Sequence, residues 1–175
     1  MFPDGAFLVE VGLSPEPGIT NHRLEDYLID ADAVNALFDA FHGFTVLTGS
    51  LPERTVYISS RSEKDLEQCQ CRIAGDSLGL AVLLLLLQDA ADLNIGVKKV
   101  CAATGALVVR KDKVLCREVG HLGAKLQCLD RANVDVLYCP IQVDAPISRY
   151  NSVSVKQVSA ITQDLKFPYF RMEFA

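Results

Sequence analysis

A serine hydroxyl becomes a useful nucleophile only when a base beside it can take its proton. One serine stands apart in this chain. Ser77 lies in Gly75-Asp76-Ser77-Leu78-Gly79, where a short glycine-bearing stretch (Ala74–Gly79) meets ten residues, Leu78–Leu87, without a polar side chain. At a helix start, Ser77 or Asp76 can serve merely as a cap for free backbone N–H groups. A chemical role needs a partner. The histidines are His22, His42 and His121. The segment fits G-x-S-x-G, yet the 98 residues after Ser77 hold too few strands for an α/β-hydrolase sheet. A small hydrolase using Ser77 and His121 remains one option. Lysine is the other. Lys125 follows a second glycine-flanked junction, Gly120–Gly123, and lies 48 residues after the serine. In the first turn of a helix the dipole disfavours its charge, and partial desolvation would make the amine a base near neutral pH. Many such lysines simply reach solvent.

The elements that must hold these residues can be read from periodicity. Five consecutive leucines favour a helix buried on most of its circumference, running to about Ala91. The ten-residue apolar run is too short to span a bilayer, which takes about 20 residues. Ahead of it, Gly5–Gly12 reads as a strand, Pro15–Gly18 as a turn, and Leu24–Ile29 as a short strand or helix lead-in. Val34, Leu37, Phe38 and Phe41 follow helical spacing over Ala31–Phe41, with Asp30 or Asp32 as cap and Gly43 as terminator. Phe44–Leu47 and Thr55–Ser59 read as a hairpin across Gly49–Glu53. Ser60–Asp65 reads as a solvated turn, and Leu66–Ile73 as a strand with one wet face. Beyond the apolar helix, a break at Asn94 and Gly96 precedes a strand at Val100–Ala103. Thr104–Gly105 then turns into a hairpin of Ala106–Val109 and Val114–Val119. A helix over Ala124–Ala132, a parallel-type strand Val134–Tyr138 ended by Pro140, and a connector with Pro146 follow. Val155, Val158, Ile161 and Leu165 suggest a last helix over Val155–Leu165, with Phe167–Ala175 as a final strand or docking segment.

Taken together, the second half resembles the proteolytic domain of Lon proteases, the Ser–Lys peptidases. The match covers Ile73–Lys166, a little over half of the chain, and lies in the order and spacing of four elements. These are the glycine-bounded serine before an apolar helix, the Ala103-Thr104-Gly105 turn with its hairpin, Gly120-His121-Leu122-Gly123-Ala124-Lys125-Leu126 against a Gly-Gly-Leu-x-x-Lys-Leu motif, and the strand ending at Pro140 before a closing helix. Where the family has proline, alanine, an acidic residue and glycine, this chain has Asp76, Leu78, Ala106 and His121. The resemblance implies an α+β fold of the Lon proteolytic-domain (ribosomal protein S5 domain 2-like) kind. It would form one domain over 1–175, with a diverged part at 1–66 and the motifs at 73–166. It implies Ser77 as nucleophile, Lys125 as general base and Thr104 as an orienting residue. Oxyanion or substrate contacts would come from Gly75, Asp76 and Leu78 at the positive end of the buried helix. It implies a polypeptide substrate, no cofactor or metal, and a homo-oligomer, hexamers being common in the family. The family's ATPase module has no counterpart in these 175 residues, which contain no Gly-rich Lys-Ser/Thr loop. A separate ATPase or recruiting partner, or substrates that are already flexible, would follow. The rival on the same fold is a non-catalytic interaction or assembly module.

Bulk properties set the frame. With 175 residues, half of them apolar, the chain can bury a substantial core. A net charge of -5 without a basic run argues against a nucleic-acid partner. Cys69 and Cys71 lack a second ligand pair for zinc. Cys101, Cys116, Cys128 and Cys139 sit in apolar or amphipathic surroundings, as buried thiols do in a reducing compartment. With no leader of basic start and apolar core, the expectation is a cytoplasmic protein without a membrane partner.

Overall fold

The computed structural model describes residues 9–14, 28–60, 72–73, 75–91, 99–140, 148–164 and 170–174. The expected turns at Pro15–Gly18 and Ser60–Asp65, the break at Asn94–Gly96 and the connector at Pro146 fall wholly or almost wholly outside them.

Helix α1 spans Ala31–Thr48. Asp30 has extended backbone (φ -82°, ψ 170°) and caps the helix, its carboxylate accepting from Ala33 N at 2.8 Å. Gly49 ends it in the left-handed region (φ 74°), donating its N–H to Thr45 O at 2.8 Å. The helix thus runs through Gly43 and absorbs Phe44–Leu47, correcting both the expected stop and the expected strand. Two effects explain this. The Thr45 and Thr48 hydroxyls bond back to the Phe41 and Phe44 carbonyls (3.0 and 2.8 Å), satisfying side chains that otherwise favour strands. Gly43 also lets the helix approach closely: a Cβ there would stand 3.0 Å from Val114 Cγ2. The buried stripe is Ala33, Ala36, Leu37, Ala40, Gly43, Phe44 and Leu47. Of the four apolar residues at helical spacing, Val34 and Phe38 fall outside the buried stripe, at 38% and 54% exposure.

Strand β1 (Val9–Ser14) contains the described part of the expected opening strand, Val9–Gly12, and continues to Ser14; Gly5–Leu8 lie outside the described residues. Short strands β2 (Leu28–Ile29) and β4 (Arg72–Ile73) pair in parallel. β3 (Thr55–Ser60) pairs antiparallel with β1, from Val9 opposite Ser60 to Ser14 opposite Thr55, so the expected hairpin partner is replaced by a distant one. Helix α2 (Gly79–Ala90) buries Leu80, Val82, Leu83, Leu86 and Leu87. Burying each leucine stabilises the fold by about 1.5–3 kcal/mol. That outweighs the missing side-chain cap at Leu78, an omission that costs about 1 kcal/mol.

The main sheet comprises β5 (Cys101–Ala103), β6 (Ala106–Val109), β7 (Lys113–Arg117), β8 (Val136–Cys139), β9 (Arg149–Tyr150), β10 (Val153–Gln163) and β11 (Phe170–Phe174). Its path is β5-β8-β10-β7-β6, with β9 and β11 also on β10. β5, β8 and β10 are parallel, while β6–β7 is an antiparallel hairpin with Ala106 opposite Arg117. Across four flat spacings β5 and β6 would lie about 19 Å apart. Only Thr104 and Gly105 join them, a link that reaches at most about 11 Å. The sheet must therefore curl until its two ends meet at that link. Helix α3 (Leu122–Arg131) precedes β8 and covers the parallel half. The result is an α+β fold.

β10 overturns the expected closing helix. Val153 and Val155 join the cluster beneath α3, with Leu126, Leu129 and Leu137, whereas Val158 and Ile161 join the cluster beneath α1 and α2. One strand thus buries opposite faces in its two halves, and its register shifts again between Val158 and Ala160. The buried positions 155, 158 and 161 then repeat every three residues, which imitates a helix. The tail reading resolves to the strand β11.

Candidate active site

The site residues gather where the two hydrophobic clusters meet. Ser77 precedes α2, which is rooted in one cluster, and Lys125 rises from α3, which is rooted in the other by Leu126 and Leu129. The two-residue link Thr104–Gly105 lies between them. Gly105 N donates to Ser77 O at 2.9 Å, and Leu80 N donates to Gly105 O at 3.0 Å, so the link is stitched to the start of α2. Thr104 N donates to Tyr138 O at 3.0 Å, fixing the other side on β8. Lys125 Nζ then donates to Thr104 Oγ1 at 3.0 Å, and that threonine is buried at 8% exposure. Gly105 is needed for close approach, since a Cβ would stand 3.0 Å from Pro140 Cγ and 3.1 Å from Leu80 Cδ2.

Ser77 does not cap the helix. Its hydroxyl has no hydrogen-bond partner among the described residues, and the cap position of α2 is Leu78, which makes no side-chain cap bond. The Ser77 side chain is half-buried and shares no hydrogen bond with Lys125 or with the exposed His121. Lys125 is half-buried too. Burial lowers its pKa from the ordinary lysine value, and the nearby Asp76 carboxylate opposes that shift. The group is thus an amine in an environment that eases loss of its proton.

The three expected contact residues have separate fates. Gly75 adopts φ 82°, which suits only glycine at ease, and its N–H is committed to the Asp30 carboxylate (3.2 and 3.3 Å). Asp30 therefore holds the serine junction and the start of α1 with one side chain. Leu78 buries its side chain in the core. Asp76 turns to Arg117, with Arg117 Nη2 2.5 Å from Asp76 Oδ2. Among the described residues the backbone N–H groups of Asp76, Ser77 and Leu78 meet no acceptor, so they are the donors left at this corner.

Arg117 and Asp30 were not singled out from the sequence. Arg117 was accessible in principle: a hairpin with Arg110–Asp112 at its tip places Arg117 opposite Ala106, next to Gly105. Asp30 was named only as a cap, and its bond to Gly75, 45 residues away, had no local signal. Among the described residues no group of three or more His, Cys, Asp and Glu could hold a metal ion, and no helix is long and apolar enough to cross a membrane. No protein-family model matches the chain, and no curated protein matches it.

Proposed function

We propose that this chain is a serine endopeptidase, on a Lon-type proteolytic-domain fold, that cleaves flexible or presented polypeptides with Ser77 as nucleophile and Lys125 as general base. The observation that carries the reading is the desolvated Lys125 amine, held at 3.0 Å by Thr104 in the same two-residue link whose Gly105 bonds the Ser77 backbone. In the reaction Ser77 Oγ attacks the scissile carbonyl carbon while Lys125 Nζ takes the hydroxyl proton. The tetrahedral oxyanion is met by the free N–H groups of Ser77 and Leu78 at the positive end of α2. Lys125 returns the proton to the leaving amine, and water then hydrolyses the acyl-enzyme by the same exchange. Thr104 keeps the amine from swinging to solvent.

The alignment with the family motif gains support at His121. That position, glycine in the Gly-Gly-Leu-x-x-Lys-Leu pattern, has left-handed backbone here (φ 62°, ψ 32°), a conformation glycine adopts without strain. The homo-oligomer and the separate ATPase or recruiting partner belong to the same proposal. A non-catalytic module of this fold is favoured by one observation, the absence of a Ser77–Lys125 hydrogen bond. Catalytic hydrogen bonds often tighten only when substrate is bound.

Labelling with a fluorophosphonate or a peptide boronate separates the two. Wild type should label at Ser77, whereas Ser77→Ala and Lys125→Ala should lose labelling and peptide cleavage with their folds intact. Cleavage that persists in either variant sinks the assignment.

A further inference from the structure

Asp76 poses an electrostatic problem for this site, and the structure answers it with a residue from another element. A carboxylate next to the nucleophile is close enough to Lys125 to favour its charged form. A lysine locked in an ion pair cannot accept a proton. Yet the carboxylate is held by Arg117 at 2.5 Å, while the Lys125 amine is held by Thr104 at 3.0 Å. The placement of Arg117 follows from the sheet. It ends β7 opposite Ala106, the residue after Gly105, and Gly105 in turn bonds Ser77.

We propose that Arg117 is a positioning residue: by holding the Asp76 carboxylate it keeps Asp76 from pairing with Lys125, and so leaves the amine free to take the Ser77 proton. The final clause rests on the Ser77–Lys125 reading; the competition between the two cations for Asp76 does not. Several titratable and charged residues lie on the segments that form this corner. Asp76 comes from the junction before α2, Arg117 from β7 with Glu118 following it, Tyr138 from β8, and His121 from the start of α3 itself. Among the described residues, Asp76 is the one whose charge is felt at Lys125. The Arg117–Asp76 pair is largely exposed, with side chains 62% and 43% accessible, so removing it should leave the fold standing.

The test reads Lys125 directly. Wild type, Arg117→Ala, Arg117→Lys, Asp76→Asn and the Arg117→Ala/Asp76→Asn double variant are treated with N-hydroxysuccinimidyl acetate across pH, and Lys125 acetylation is followed by peptide mass spectrometry. A released carboxylate near the amine should slow acetylation at a fixed neutral pH by about fivefold in Arg117→Ala, the effect of one ion pair under water-like screening. Arg117→Lys should stay near wild type, and the double variant should return to the wild-type rate or exceed it. An unchanged rate in Arg117→Ala, or slowing that persists in the double variant, overturns the proposal. Fluorophosphonate labelling of Ser77 is scored separately in the same samples. If wild-type Ser77 does not label while the acetylation series behaves as expected, the peptidase reading fails and the role of Arg117 stands.

Discussion

The same methyl group, added at two glycines of the motif-bearing half, should have opposite effects. In Gly105→Ala the new Cβ meets the Pro140 ring at 3.0 and 3.1 Å and the Leu80 side chain at 3.1 Å. Pro140 is buried and rigid, and Leu80 has 0% exposure, so neither can step aside cheaply. Overpacking of this kind costs about 1–3 kcal/mol. The lower entropy of the unfolded alanine chain offsets about 0.4–1 kcal/mol of that. The expected net loss is about 1–2 kcal/mol, greater if the Gly105 bonds to Ser77 and Leu80 are strained. Gly123 is exposed in the first turn of α3, and nothing lies within 4 Å of its added Cβ. Gly123→Ala should therefore stabilise, by up to about 1 kcal/mol. Urea titration of the three proteins at one pH gives both values, with the slopes checked for equality. Ser77 labelling gives a second reading: Gly105→Ala should slow it by displacing the serine, and Gly123→Ala should not. Equal stability of Gly105→Ala and wild type would mean that Pro140 and Leu80 do not crowd the link, and the account of how Ser77 is held would fall with it.

Three further outcomes follow from the same geometry. Thr104→Val, which keeps the shape but removes the acceptor for Lys125, should slow Ser77 labelling by about tenfold or more, while Thr104→Ser should retain most of it; equal rates in both would remove Thr104 from the site. The folded-state pKa of Lys125 lies below the ordinary value of 10.5. Below that lowered value both states hold the proton and the folded state bears the burial cost. Between the lowered value and 10.5 the unfolded chain binds the extra proton, so stability rises with pH across this window. The stability of wild type relative to Lys125→Met should thus increase as urea titrations move from neutral pH to pH values near 10.5, and a flat difference would contradict the lowered pKa. At His121, held at φ 62°, glycine should be neutral or stabilising by up to about 1 kcal/mol in thermal or urea melts, while valine should destabilise clearly.

Local order in the chain carried much of this protein. The leucine run announced α2, the Ala106–Val109 and Val114–Val119 pair announced the hairpin, and the two glycine-flanked junctions marked Ser77 and Lys125, because each depends on neighbours a few residues away. What local order could not settle was which face each segment buries and against what. Phe44–Leu47 looks like a strand until Gly43 is seen pressed on Val114 and Leu83. Val155–Leu165 looks like a helix because β10 turns one face to the α3 cluster and the other to the α1–α2 cluster, a spacing set by two cores and not by any turn of helix. The same holds at the site. The sequence by itself pointed to Ser77 and Lys125 as candidates through their glycine-flanked junctions, and to Thr104 through the family resemblance. Only the tertiary structure decided that Asp76 goes to Arg117, that Gly75 is tied to Asp30, and that Lys125 reaches Thr104, because those pairings join elements 41, 45 and 21 residues apart through a curled sheet.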